Sequence, residues 1–193
     1  MVDKITNIFL AGVGGQGIIL ASDIMADVFL DAGYDVKKSE VHGMAQRGGS
    51  VTSHVRFGEK VASPIIPEGE ADILFCSEKL EVLRWLAYCN ENTKLIINNI
   101  EIYPPLVNLG EMEYPKNIEK AINSKFKNNY FIEATKLAKE AGDARAANVV
   151  MLGVTSKFLP IDEEIWMRNI LARLPKKIHE LNKIAFKKGR EVV

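Results

Sequence analysis

The spacing of apolar and polar positions changes several times along the chain, and each change marks an element. Ile5 to Ala11 is a short, nearly continuous apolar run, the pattern of a strand buried in a parallel sheet. From Gln16 to Leu30 the apolar residues Ile18, Ile19, Ala21, Met25, Val28 and Phe29 recur at helical spacing, and Gly33 supplies a cap. Tyr34 to Ser39 reads as a second strand. Glu40 to Ser50 is too rich in glycine and polar residues for regular structure and reads as a loop. Val51, Ser53, Val55 and Phe57 then alternate with Thr52, His54 and Arg56, a half-buried strand. Gly58 and Glu59 are expected to turn that strand into a hairpin partner around Val61 to Ile66, which makes the sheet mixed.

Ala71 to Cys76 is a further buried strand, and Ser77 is placed to cap a helix from Glu78 to Tyr88. Lys94 to Asn98 continues the strand series. Residues 99–117, punctuated by proline and glycine, read as an irregular or edge excursion. Ile118 to Phe126 looks helical, Tyr130 to Ile132 forms a short last strand, and Ala134 to Ala141 is a helix closed by Gly142. Ala146 to Phe158 is apolar almost all round, so it is expected to be buried. Asp162 can cap Glu163 to Leu174, and Pro175 opens a last helix from Lys176 to Lys188 with the stripe Ile178, Leu181, Ala185 and Phe186. Without repeat or linker, residues 1–193 read as one α/β domain. The expected fold is a Rossmann-like three-layer α/β/α sandwich, with a mixed, mainly parallel sheet and a helical C-terminal third.

A length of 193 residues suits one domain with a substantial core. Acids and bases balance at 25 each, so the basic excess of a nucleic-acid surface is missing. Cys76 and Cys89 offer no C-x-x-C, no zinc spacing and no iron–sulfur ligand set, and read as small buried hydrophobes. No metal site is expected on this chain. The first strand is expected to begin close to Met1, so no signal peptide is expected. No apolar run approaches membrane-spanning length, so the expected location is the cytoplasm, with no membrane partner.

The candidate chemistry sits in two glycine-bearing loops. Gly12, Gly14 and Gly17 have the G-x-G-x-x-G spacing of a phosphate-cradling turn between strand and helix. Missing Cβ atoms let the backbone approach an anion, and the first helical N–H groups face it. The alternative is a close-packed turn with no ligand. In the second loop His42 and Gln46 precede Arg47, Gly48 and Gly49. Both loops are expected to leave the carboxyl edge of the sheet, where ligands of doubly wound folds lie. Gly12, Gly14, Gly15, Gln16 and Gly17 with Arg47, Gly48 and Gly49 are therefore the candidate cofactor-binding residues. The fork of Arg47 suits a phosphate or carboxylate, or else it ties down its own loop. Arg47 and His42 are the candidate catalytic side chains, His42 as a proton shuttle or as a plain hydrogen-bonding residue. His54 reads as structural.

A dinucleotide site would place an acid at the end of the second strand. Here Lys37, Lys38 and Ser39 stand there, with Glu40 beyond, which disfavours NAD and leaves NADP open. No G-K-[ST] follows the glycines, which excludes a nucleoside-triphosphate loop. Asn148 interrupts an apolar helix, and either holds the glycine loop by hydrogen bonds or faces a ligand. Asn182 lies beside the last apolar stripe and is expected at a helix–helix contact. Lys176, Lys177, Lys183, Lys187, Lys188 and Arg190 read as a solvated face.

Gly12-Val13-Gly14-Gly15-Gln16-Gly17 resembles the opening motif of the gamma domain of 2-oxoacid:ferredoxin oxidoreductases. The loop His42 to Ser50, the helix Asn148 to Gly153 and the tail Asn182 to Gly189 resemble that family too, in the same order. The H-G-M-A-Q-R-G-G-S form is most similar to the beta subunit in the family's indolepyruvate branch, and the resemblance runs from Asn7 to Gly189. It implies a subunit of a complex that oxidatively decarboxylates an aryl pyruvate to an acyl-CoA and passes electrons to ferredoxin. It places thiamine diphosphate, magnesium and iron–sulfur clusters on a large partner subunit, and coenzyme A against this domain. This chain has no G-D-G…N-N motif, and Gly142-Asp143-Ala144 is not one. Alone it is expected to be inactive. An independent NADP-dependent oxidoreductase and a purely structural assembly subunit remain the other readings of the residues.

Overall fold

A computed structural model describes residues 4–42 and 49–193; the side chain of His42 lies outside that description, as do the sequence-predicted roles of Gln46, Arg47 and Gly48. The first apolar run forms β1 (Thr6–Val13), followed by α1 (Ile18–Asp31), β2 (Asp35–His42) and β3 (Ser50–Gly58). Then come β4 (Ala71–Cys76), α2 (Lys79–Trp85), β5 (Cys89–Asn98) and the short α3 (Pro105–Asn108). The chain continues through α4 (Ile118–Asn123), β6 (Asn129–Ile132), α5 (Ala134–Ala141), α6 (Ala147–Ser156), α7 (Glu163–Arg173) and α8 (His179–Glu191). Among the described residues no helix is long and apolar enough to cross a membrane.

The strands form one six-stranded sheet in the order β2-β3-β1-β4-β5-β6. The β1–β4, β4–β5 and β5–β6 pairs are parallel, and β3 runs antiparallel to both β1 and β2. Alternation along each strand separates two cores. Ile8 and Leu10 of β1, Phe75 of β4 and Ile96 of β5 meet Met25 and Phe29 of α1, Leu152 of α6 and Phe186 of α8. Phe9, Ala11, Leu74, Cys76, Leu95 and Ile97 point the other way, onto Val82 of α2 and Ile118 and Ile122 of α4. The result is the expected mixed, mainly parallel sheet between two helical layers, with a helical C-terminal third.

The hairpin expectation is corrected. β3 pairs with β2, not with residues 61–66, which form bends. The Arg56 guanidinium takes the carbonyls of Ser63 and Ile65 at 3.0 and 2.9 Å, and the Ile66 N–H donates to His54 Nδ1 at 3.1 Å. Pro64 has no N–H to give a ladder. Side chains thus take the groups a strand would have used. Glu40 to His42, expected in the loop, extend β2.

Capping of α2 is corrected as well. Glu78, not Ser77, is the N-cap, and its carboxylate accepts from the Glu81 N–H at 2.9 Å. Glu78 is buried, and it also accepts from the Ile102 N–H and the Tyr114 hydroxyl at 3.2 and 2.6 Å. Burial and that bond push the Tyr114 hydroxyl up from its usual range.

Nine of the ten residues of α6 are buried, as its all-round apolar sequence demands. It crosses α8 at two glycines that leave no room for a side chain: a Cβ on Gly153 would stand 2.2 Å from the Phe186 carbonyl oxygen, and one on Gly189 2.0 Å from that of Val150. The basic row on α8 is not simply solvated. Lys188 pairs with Glu140 at 2.8 Å, and Arg190 with Glu163 at 3.0 Å and the Ser156 hydroxyl at 2.7 Å, fastening α8 to α5, α7 and α6.

Candidate functional site

The turn after β1 is built by glycines and locked by Gln16. Gly15 and Gly17 take left-handed φ values of 101° and 75°, where a Cβ is disfavoured. Gly12 has no room for a side chain, since a Cβ there would stand 2.0 Å from Ser77 Oγ. The Gln16 Oε1 accepts from the Val13 N–H at 2.7 Å and from the Ser77 hydroxyl at 2.6 Å, while its Nε2 donates to the Ser77 carbonyl at 2.8 Å. Gln16, a candidate ligand residue from the sequence, therefore spends its amide on the turn itself and fixes the shape the glycines allow.

Ser77 follows β4 at the same edge of the sheet, and the network continues outward. Asn98 Nδ2 donates to the Ser77 carbonyl at 3.3 Å and to Thr135 Oγ1 at 3.1 Å, and the Thr135 N–H donates to Asn98 Oδ1 at 3.4 Å. The ends of β1, β4 and β5 and the start of α5 are thus stitched into one rim. Beside it opens a cavity of about 380 Å³, bordered by Gly15, Gly17, Ser77, Asn98, Arg145 and Asn148. Its position fits the crevice beyond the strand ends between β1 and β4, whose following helices α1 and α2 cover opposite faces.

Three N–H groups point the chemistry of this rim. α1 starts from Gly17 without a side-chain cap, and its first intrahelical bond runs from the Ala21 N–H to the Gly17 carbonyl at 2.9 Å. The N–H groups of Ile18, Ile19 and Leu20 have no acceptor among the described residues. An uncapped helix start behind a glycine turn favours an anion.

The second loop reaches this rim. The Gly14 N–H donates to the Gly49 carbonyl at 2.8 Å, and the Ser50 hydroxyl donates to Glu81, whose carboxylate also pairs with Arg84 at 3.0 Å. Gly49 lies where the sequence placed it. The backbone of His42 ends β2 opposite Val51, at the same edge.

Asn148 does not hold the glycine turn by hydrogen bonds. Its Oδ1 accepts from the Val149 N–H at 2.9 Å, and its Nδ2 lies 2.7 Å from where a Gly17 Cβ would be. The carboxamide fills the space of the missing side chain. His54 is structural as expected: its Nδ1 accepts from Ile66, its ring meets Phe9 edge-on at 4.8 Å, and burial, with help from Arg56, lowers its pKa. Cys76 and Cys89 are free, with thiols pushed up by burial, Cys89 to about 12.

Sequence reasoning missed Ser77 as a turn partner, and missed Asn98, Thr135 and Arg145. Arg145 borders the cavity and donates to Asp143 through Nε and Nη2 at 2.9 and 2.6 Å, which holds the Asp143 carboxyl below its usual range. Its signal was the Asp143-Ala144-Arg145 run just ahead of the asparagine helix.

The geometry weighs against the dinucleotide reading. β3 separates β2 from β1, so the end of β2 is not next to the glycine turn. Lys37 pairs with Asp35, and Lys38 with Asp23 and Glu40, so neither lysine is free for a 2′-phosphate. A larger cavity of about 890 Å³ lies over α4 and the residues before it. Its Lys79 is paired with Glu101 and Glu119, and Lys116 and Lys120 also line it.

Comparison with known proteins identifies relatives of this fold. The family model for pyruvate ferredoxin/flavodoxin oxidoreductases matches residues 7–192. Indolepyruvate oxidoreductase subunit IorB of Thermococcus kodakarensis is 38% identical over 95% of this chain and 93% of its own. The Archaeoglobus fulgidus protein of the same name is 39% identical over 95% and 92%. The 2-oxoglutarate synthase subunit KorC of Methanocaldococcus jannaschii is 30% identical over 95% and 91%. The gamma subunit of the keto/oxoacid ferredoxin oxidoreductase from Geobacter sulfurreducens has a TM-score of 0.71 at 25% identity, covering 96% of each chain. The fold is shared with a 2-oxoglutarate:ferredoxin oxidoreductase from Magnetococcus marinus, whose structure holds 2-oxoglutarate, coenzyme A and succinyl-CoA. The TM-score there is 0.74 at 21% identity, covering 99% of this chain and 31% of that one. With the family matched from residue 7 to residue 192 and relatives 38–39% identical along nearly their whole length, this chain belongs to the pyruvate ferredoxin/flavodoxin oxidoreductase family, as a subunit of an oxidoreductase.

Proposed function

We propose that this chain is the subunit of a cytoplasmic indolepyruvate-type oxidoreductase that presents coenzyme A to a large catalytic partner. The complex converts an aryl pyruvate and coenzyme A to an acyl-CoA and carbon dioxide, and two electrons pass to ferredoxin. The observation that carries this reading is the uncapped start of α1 behind the Gly14–Gly17 turn, opening on a cavity of about 380 Å³ at the sheet's carboxyl edge. A diphosphate is an anion of the kind such a helix start holds. Arg47 and Gly48, expected on the same loop as Gly49, add the guanidinium and a further backbone donor in this proposal. His42 at the end of β2 is the proposed proton carrier beside them.

The choice of an aryl pyruvate is supported by relatives named for indolepyruvate at 35–39% identity, against 28–30% for those named for 2-oxoglutarate. Thiamine diphosphate, magnesium and the clusters are assigned to the large subunit, because two cysteines in the whole sequence cannot ligate a cluster that needs four. The test is reconstitution. Either subunit alone is expected to show no coenzyme A-dependent reduction of ferredoxin by indolepyruvate, and the pair to show it. An Arg47→Ala chain that still assembles is expected to raise KM for coenzyme A or the oxoacid about tenfold. Unchanged KM values for both would remove Arg47 from the site, and no activity in the reconstituted pair would overturn the function.

A further inference from the structure

The glycine turn after β1 is braced from two sides. Toward β4 the brace is the Gln16 amide on Ser77. Toward β3 it is a carboxylate: Glu81, on the first turn of α2, accepts from the hydroxyl of Ser50. Ser50 lies opposite Val13 in the β1–β3 pair, and the Gly49 carbonyl just before it accepts from the Gly14 N–H at 2.8 Å. One bond to Glu81 therefore fixes the segment from which the main chain of the turn is hung.

Glu81 is 5% exposed, and its surroundings suit a carboxylate. Its Oε1 pairs with Arg84 Nε at 3.0 Å, and its Oε2 takes the Trp85 indole N–H at 3.4 Å beside the Ser50 hydroxyl. The Glu81 N–H is held in turn by the buried Glu78 carboxylate at 2.9 Å. α2 does not need this charge for packing, since Leu80, Val82 and Leu83 supply its apolar contacts. A buried ion pair is weak support for stability next to an apolar side chain of similar volume, and its better-attested use is to fix one arrangement. What the charge obtains here is a bond across 31 residues of sequence to the end of the second loop.

We propose that Glu81 is a positioning residue for the reaction: through Ser50 and Gly49 it holds the Gly14–Gly17 turn in the shape that binds an anion. The inference rests on the anion reading of that turn and adds to it a residue that touches no ligand. With the bond cut, Gly49 is free to shift, and the N–H groups of the turn lose the common aim that binding needs.

The test uses the full chain and the reconstituted pair of subunits. Ser50→Ala removes the hydroxyl and leaves Glu81 its pair with Arg84, Ser50→Thr keeps a hydroxyl, and Glu81→Leu removes the acceptor. Ser50→Ala and Glu81→Leu are each expected to weaken binding of inorganic diphosphate to the full chain about tenfold by calorimetry, the loss of one hydrogen bond to a charged group. In the pair both should raise KM for coenzyme A by a similar factor and leave kcat within about twofold, because binding is lost and the chemical step on the partner is not. Ser50→Thr should restore both. The double variant Ser50→Ala/Glu81→Leu should lose no more than the worse single variant, as one shared bond demands. If Glu81→Leu does not fold, Ser50→Ala and Ser50→Thr carry the test. Wild-type diphosphate affinity and KM in Ser50→Ala would overturn the proposal and spare the anion site. So would additive losses in the double variant, or a Ser50→Thr chain as weak as Ser50→Ala. Failure of diphosphate to bind the unaltered chain would overturn the anion reading, and this proposal with it.

Discussion

The Gly14 N–H donates to the Gly49 carbonyl at 2.8 Å, so the turn after β1 and the end of the loop before β3 are joined main chain to main chain. Antiparallel pairing makes this possible: Val13 lies opposite Ser50, and Val51 opposite His42, so all three strand ends meet at one edge. Gln16 closes the turn from the other side through Ser77. What the glycines leave open between these ties is the start of α1.

Gly17→Ala should destabilise the chain by about 1–2 kcal/mol from its left-handed backbone alone. The new Cβ would also meet Asn148 Nδ2 at 2.7 Å, which adds a clash. Asn148→Ala in the same background is expected to recover part of the loss. Urea unfolding of the two single variants and the double variant measures that coupling.

Gly153→Ala and Gly189→Ala should each cost about 1–3 kcal/mol, because the added methyl meets the backbone of the facing helix and α6 and α8 must part. The two effects should not add, since one separation accommodates both. Gly33→Ala, with nothing within 4 Å and a φ of 88°, is expected to cost about 1 kcal/mol from backbone alone. Thermal unfolding of the three variants separates packing from backbone strain.

His54 makes stability depend on pH in a stated direction. Burial lowers its folded pKa below the ordinary 6.5, so the unfolded chain binds the proton more readily. The stability from neutral His54 is therefore full above pH about 6.5 and is lost as pH falls toward the lowered folded value. Urea titrations between pH 8 and pH 5 should show the decline. His54→Asn, which keeps an acceptor for the Ile66 N–H, should flatten it.

Both thiols are held well above their usual range by burial, Cys89 at about 12. A disulfide reagent at pH 8 is expected to leave the native chain unmodified and to label two thiols after unfolding. Rapid labelling of the native chain would contradict their packing.

The fold was legible where local pattern and tertiary demand agree. The run from Ile5 to Ala11, the glycine spacing and the helical repeat from Ile18 to Phe29 all pointed to β1, a turn and α1, and these form. Two of the errors arise where another side chain takes the groups that the local pattern assigned elsewhere. Arg56 takes the carbonyls that would have made residues 61–66 a strand, and the longer carboxylate of Glu78 caps α2 in place of Ser77. Asn98 and Thr135 were not legible because they meet 37 residues apart, through the parallel register of β5 and β6. The motif from Asn148 to Gly153 and the tail from Asn182 to Gly189 read as two separate family-like motifs. In the structure each supplies one glycine to the contact of α6 with α8 and one asparagine to the border of a cavity.

The central claim is that the first turn of α1 holds the anionic end of the ligand. The most direct measurement is an amide NMR titration of the full chain with coenzyme A. Saturable shifts concentrated at Gly15, Gly17, Ile18, Ile19 and Leu20, and reproduced in part by inorganic diphosphate, are what the account predicts. Saturable shifts that leave those five amides unmoved and fall on residues lining the cavity over α4 would contradict it.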